Sequence, residues 1–212
     1  GTISQIEFNK YNYQNITVNG LYQNNLFNGK LGFVDDNLNG TFEGLADLSE
    51  EINKFDFKTT INYANLKALN LYSRDSISEL SGVIDLDLTG NKLDNVIGIA
   101  NFKNIEYTNE KELYPFKQFL IFSTLKDGVR QIRIDSEDII KGELIGDFKF
   151  EEMLPLAQNA LGSMYSNYTP YEVSLNQFLK FDFVIYNKIV DVFYPEISVA
   201  PGTKIIGSIK SD

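Results

Sequence analysis

The chain contains no cysteine, no histidine and no tryptophan. The first two absences exclude thiol nucleophiles, disulfides, histidine-held zinc and every mechanism that uses a histidine base. A serine nucleophile would have to borrow a lysine. Missing Cys carries no information about compartment. Missing Trp removes the ring on which sugar-binding β-sandwiches most often stack their ligands. Glycoside hydrolysis needs only carboxylates, so it survives these exclusions in weakened form. Positive charge is also scarce: 19 Lys and Arg stand against 29 Asp and Glu, for a net charge of −10. No window is strongly basic, which argues against nucleic acid as a partner and against electrostatic docking on anionic lipid. No apolar run approaches the roughly 18 residues of a membrane-spanning helix, and no signal peptide is visible. The first residues are Gly1, Thr2 and Ile3, without Met, and the last lie in strand-like sequence. The expectation is a segment of a longer protein.

What is present is period-two alternation, the mark of half-buried antiparallel strands. In "LSGVIDLDLTG", Leu80, Gly82, Ile84, Leu86 and Leu88 fall on one face, and Ser81, Val83, Asp85, Asp87 and Thr89 on the other. In "IKGELIGDFKF", Ile140, Gly142, Leu144, Gly146, Phe148 and Phe150 oppose Lys141, Glu143, Ile145, Asp147 and Lys149. Phe181, Phe183 and Ile185 oppose Lys180, Asp182, Val184 and Tyr186. Weaker alternation runs through residues 16–21, 55–63, 97–102, 119–123 and 129–134. Polar turns at 24–25, 35–37, 90–92 and 126–128 read as hairpin connections, so neighbours in sequence should be neighbours in the sheet. One segment breaks the pattern. Residues 151–165 read as a helix, with Glu151 and Glu152 at its start, Pro155 in its first turn and Gly162 near its end. Its predicted apolar face is Met153, Ala157, Ala160, Leu161 and Met164. A second helical turn is predicted at 48–53. No linker interrupts residues 1–212, which read as a single continuous β-rich segment.

The stretch "FNGKLGFVDDNLNGTFEG" (27–44) holds four glycines. It lacks GxxxxGK[ST] and is strand-turn-strand, so it offers no helix N-terminus to a phosphate. Alternation places Phe27, Gly29, Leu31 and Phe33 on one face, then Leu38, Gly40, Phe42 and Gly44, with Gly32 pointing the other way. Glycines so placed let a sheet bend and leave room on its apolar side. Asp85 and Asp87 lie about 7 Å apart on one strand face by strand geometry. They could serve as a glycosidase pair or a calcium site, or form a solvated outer face, and the last reading is the simplest. Arg130 and Arg133 could bind an anion, or stand outside the strand paired with carboxylates across the sheet, and the second reading is the simpler. No catalytic set and no cofactor or metal site emerges.

Three elements carry a family resemblance: "LNGTFEGLADLSEEINKFDFKTTINYANLKALNL", "LSGVIDLDLTGNKLDNVIGIANFKNIEY" and "DGVRQIRIDSEDIIKGELIGDFKFEEMLPLAQNAL". Across residues 38–168 these resemble the TamB family of translocation and assembly modules, kin of the AsmA-like envelope proteins, in the large versions of Bacteroidota. The resemblance implies a periplasmic segment of an inner-membrane-anchored protein. Its elongated, mostly antiparallel meander sheet would be curled into a taco-like groove. It implies phospholipid acyl chains as ligand, transport between inner and outer membrane, support of outer-membrane biogenesis and protein assembly, and a BamA-like barrel as partner through regions outside this chain. It brings no catalytic residues. The expected groove lining is Phe42, Ile84, Leu86, Leu88, Leu144, Phe148, Phe181 and Phe183. Two other readings stay open: a structural or adhesin-like β-domain with a closed core acting through protein contacts, and a carbohydrate-active sandwich using Asp85 and Asp87.

Overall fold

The computed structural model describes residues 1–187 and 199–211. Two-residue turns with both φ angles positive sit at Asn9–Lys10, Asn24–Asn25 and Asp127–Gly128. Such turns match the right-handed twist of strands and close tight hairpins, and Asn, Asp and Gly tolerate them best. Between the connections the alternating sequence forms, among the described residues, twelve strands: β1 (Thr2–Phe8), β2 (Tyr11–Gln23), β3 (Leu26–Val34), β4 (Leu38–Asp47), β5 (Lys54–Asn65), β6 (Ser78–Thr89), β7 (Ile97–Asn109), β8 (Leu113–Lys126), β9 (Val129–Asp135), β10 (Ile140–Asp147), β11 (Phe178–Ile185) and β12 (Thr203–Lys210). They hydrogen-bond in chain order from β1 to β12. The fold is therefore all-β, a mostly antiparallel meander with, among the described residues, one short helix, α1 (Met153–Gly162). Residues 48–53 form bends and no helical turn; single 3₁₀ turns occur instead at Leu93–Asn95 and Phe150–Glu152.

The chain divides into two compact units, residues 1–89 with 99–120 and residues 90–98 with 121–211. In unit 1 the register pairs Leu31 with Phe42, Phe57 with Leu86, and Phe55 with Leu88. Directly paired residues share a sheet face, so the apolar positions of β2 to β6 form one continuous surface. Bulges between Asn39 and Gly40 and between Ile61 and Ala64 keep that surface in phase as the strands bend. Its buried centre lies at one end of the strands, where Tyr13 and Ile16 of β2 meet Ala64 of β5 and Leu69.

In unit 2 Leu144 pairs with Ile132 and Phe181, and Gly142 with Ile134 and Phe183. The helix lies on this face. Its anchor is Leu156, which is fully buried against Leu144, Phe148 and Leu179. Met153 packs with it, whereas Leu161 and Met164 are exposed. The helix thus sits rotated from the face read in the sequence, because Leu156 is the large side chain that packs into the core of Leu144, Phe148 and Leu179.

Candidate functional site

The glycines explain the bend. Gly20, Gly29 and Gly44 are paired in a row across β2, β3 and β4, and Phe57 continues the row on β5. A Cβ on Gly20 would lie 2.6 Å from the Cα of Gly29. One on Gly44 would strike Asp56 O of the adjacent strand. Gly44 has φ 142 and Gly82 has φ 138, a conformation that L side chains rarely adopt. A Cβ on Gly82 would reach 2.9 Å from the Cα of Ile105. On the inside of a curled sheet Cβ atoms converge, and glycine removes the obstruction. Gly32, on the opposite face, would meet only the Thr17 side chain.

The curl of unit 1 is visible in what it brings together. After β5 the chain makes a single helical turn, with the Leu69 N–H donating to Asn65 O at 3.0 Å. One residue on, the side chains of Asn70 and Asn9 each donate to the other's backbone carbonyl, at 3.1 and 2.5 Å. Asn9 lies in the β1–β2 turn. On a flat sheet β2 and β5 would be about 14 Å apart, three spacings of roughly 4.8 Å. The connection after β5 thus reaches back across the curled sheet of unit 1, and Leu66 and Leu69 pack over this end of its apolar face. A polar lock holds that segment. The Arg74 guanidinium donates to Asp75 at 2.8 Å, and Tyr107 OH donates to Asp75 Oδ2 at 2.9 Å. Ser78 Oγ lies 3.2 Å from Tyr107 OH. Burial, with the Asp75 carboxylate, pushes the Tyr107 phenol up to about 12. The hydrogen bond from Arg74, with those of Tyr107 and Asn109, holds Asp75 below the usual carboxylate range despite burial. Asp35 pins the neighbouring turn. It accepts from Tyr11 OH and from the Gln14 and Asn37 N–H groups at 2.9 Å, and these bonds outweigh burial to lower its pKa.

Away from the closed end the surface is different. Phe27, Leu31, Phe42, Phe55, Phe57, Ile84, Leu86 and Leu88 are all half-buried. Their rings form a chain of contacts, Phe27–Phe42 at 5.9 Å and Phe42–Phe57 at 4.5 Å between centroids. Thr59 is the one polar side chain among the paired inward positions from Leu31 to Leu88. Four of the expected lining residues, Phe42, Ile84, Leu86 and Leu88, lie on this surface. The other four are in unit 2. Leu144 and Phe148 are core side chains beneath α1, while Phe181 and Phe183 are half-buried beside them.

The outer face of unit 1 is a ladder of alternating charge. Lys30 pairs with Glu43 at 3.3 Å, Glu43 faces Lys58, Lys58 faces Asp85, and Asp85 meets Lys103 at 3.3 Å. Asp85 is thus spent on lysines, and Asp87 faces Asp56 across the strand pair. Among the described residues no group of three or more acidic side chains could hold a metal ion, and no helix is long and apolar enough to cross a membrane.

Arg130 departs from expectation. It is buried on the inward face, donating to Val96 O at 2.6 Å, Ser123 Oγ at 2.7 Å and Asp94 O at 2.5 Å, with Phe150 under its guanidinium. Its parity with Ile132 and Ile134 was the signal that placed it inward. Arg133 does face outward, opposite Glu143 and 4.5 Å over the Phe122 ring. The closing segment 66–77 also escaped the alternation. Its trace in the sequence is the Leu66–Leu69 spacing after Asn65, whose side chain caps the turn by accepting from the Ala68 N–H at 3.0 Å.

No family model matches the chain, and no curated protein and no solved structure matches it.

Proposed function

We propose that this chain is a non-catalytic segment of a TamB-like envelope protein, working in the periplasm as part of an inner-membrane-anchored whole. Its apolar surface would carry phospholipid acyl chains between the two membranes, in support of outer-membrane biogenesis. The observation that carries this reading is the half-buried apolar surface of unit 1 around Phe42, Phe57, Ile84, Leu86 and Leu88, with its glycine fold line. An apolar surface left partly open in a folded protein marks a binding site. One without charge suits hydrocarbon, which asks for area and no directional bonds. Lipid would move along it by exchanging weak contacts. The BamA-like partner belongs to the same proposal, through regions outside this chain. A photo-crosslinking residue at Leu86 should capture phospholipid in cells. Capture of protein neighbours alone would sink the reading.

A second reading has an observation of its own. In unit 2 α1 covers the apolar face and closes a core on Leu144, Phe148, Leu156 and Leu179. That favours a structural or adhesin-like domain acting through protein contacts. Native mass spectrometry of the purified protein separates the two, since only the first expects retained lipid.

A further inference from the structure

The apolar surface of unit 1 carries a hydroxyl at its middle. Thr59 of β5 is paired with Phe42 of β4 and with Ile84 of β6, so its side chain shares the inward face with both. Two residues away along β5, on the same face, stand Phe57 and Ile61, paired with Leu86 and Gly82. The hydroxyl is thus ringed by apolar side chains. Thr41 and Thr60, by contrast, are paired with one another on the outer face. Thr59 is half-buried, and among the described residues its hydroxyl makes no hydrogen bond. Water satisfies such a group while the face is open. Hydrocarbon laid over the face would remove that water and leave the hydroxyl without a partner, which is unfavourable unless the ligand itself brings an acceptor.

We propose that Thr59 donates a hydrogen bond to the ester carbonyl of a bound acyl lipid, and so selects ester-linked lipid and fixes where its hydrocarbon begins on the face. The inference rests on the lipid-carrying reading above and names the ligand class of that same surface. The chemistry around the hydroxyl selects the acceptor. No Asp, Glu, Lys or Arg stands among the paired inward positions from Leu31 to Leu88, so nothing there would balance the carboxylate of a free fatty acid. An ester carbonyl is a neutral acceptor joined directly to an alkyl chain. With the carbonyl at Thr59, the chain can lie against Phe42, Phe57, Ile84 and Leu86, a contact that needs area and no direction. An alkyl ether of the same length keeps the hydrocarbon and lacks the carbonyl. It would cover the hydroxyl without satisfying it, and a site that holds a polar group discriminates against such a ligand.

The test is a competition. The delipidated full chain takes up lipid from detergent micelles that hold equal amounts of a diester phosphatidylcholine and its dialkyl ether analogue of the same chain length. Mass spectrometry then reads the ratio retained after repurification. The wild type should retain the ester over the ether by about five- to tenfold. Thr59→Val keeps the branched shape and the strand preference and loses the hydroxyl. It should keep the wild-type thermal unfolding, still retain lipid, and bring the ratio to about one. Thr59→Ser keeps a hydroxyl and should keep the preference. Equal retention of the two lipids by the wild type, or a preference that Thr59→Val retains, would overturn this assignment and leave the lipid-carrying reading standing. Retention of neither lipid by the wild type would overturn the lipid-carrying reading, and the role of Thr59 with it.

Discussion

Leu69 carries more of unit 1 than its place in a connecting segment suggests. It is 1% exposed and, with the partly buried Leu66, packs the segment after β5 into the cluster of Tyr13, Ile16 and Ala64. Truncation leaves a cavity that the bent sheet cannot collapse around. Leu69→Ala should therefore cost about 2–5 kcal/mol, read as a loss of stability in urea titration. Glu152 offers a different test, by pH. Its carboxylate accepts from the Ser174 N–H at 2.6 Å, the Ser174 hydroxyl at 2.9 Å, Lys149 at 3.2 Å and the Gln177 amide at 2.6 Å. The backbone bond from Ser174 leads in lowering its pKa from 4.5 to about 2, with desolvation opposing and the side-chain donors adding. A carboxyl lowered on folding stabilises fully above its ordinary value and loses that contribution as pH falls through the folded value. The stability gap between wild type and Glu152→Gln should be constant above pH 4.5 and shrink steadily toward pH 2. A gap that is flat with pH would remove the ionised carboxylate from the account.

At the level of elements, the glycine row is the feature on which the bend depends. Gly44 combines φ 142 with contact against the backbone of β5, whereas Gly32 of β3 faces only the Thr17 side chain. Gly44→Val should destabilise by more than about 1 kcal/mol, since both conformation and space oppose it, and Gly32→Val should be milder. Equal effects at the two positions would mean the row is not a fold line. Much of this was readable in the sequence. Alternation gave the strands, the shared face of Gly29, Gly40, Gly44 and Phe42, and the hairpin turns, because a period of two has a single geometric meaning. What alternation does not encode is how far a sheet bends or what lies on it. Leu156 and Leu69 fit no strand pattern, and their partners come from distant strands. The helix was legible but its rotation was not, since both sides of residues 153–164 are apolar and only the packing chooses Leu156 over Leu161. Arg130 was misplaced for another reason. A charged residue suggests solvent, yet its inward parity is affordable once two carbonyls and a hydroxyl accept its N–H groups.

For the molecule as a whole, β6 separates within one strand an apolar face that is core from one that is a binding surface. Leu86 lies on the half-buried face paired with Phe57, and Asp85, its neighbour, points outward to Lys103. If the inward face binds hydrocarbon, Leu86→Asp should leave a folded protein that no longer retains phospholipid through purification. The carboxylate can reach water from a half-buried position on an open face, so the fold survives, but hydrocarbon beside it would strip that water away. Asp85→Ala should retain lipid like the wild type, losing only a surface ion pair worth at most about 1 kcal/mol. A closed core makes the opposite demand. Leu86→Asp would then bury an unpaired charge and unfold unit 1, and the wild type would carry no lipid to lose. Thermal unfolding and lipid extraction on the same three preparations decide between the two demands. Only a folded Leu86→Asp protein stripped of lipid, beside a lipid-bearing Asp85→Ala protein, is compatible with a carrier surface.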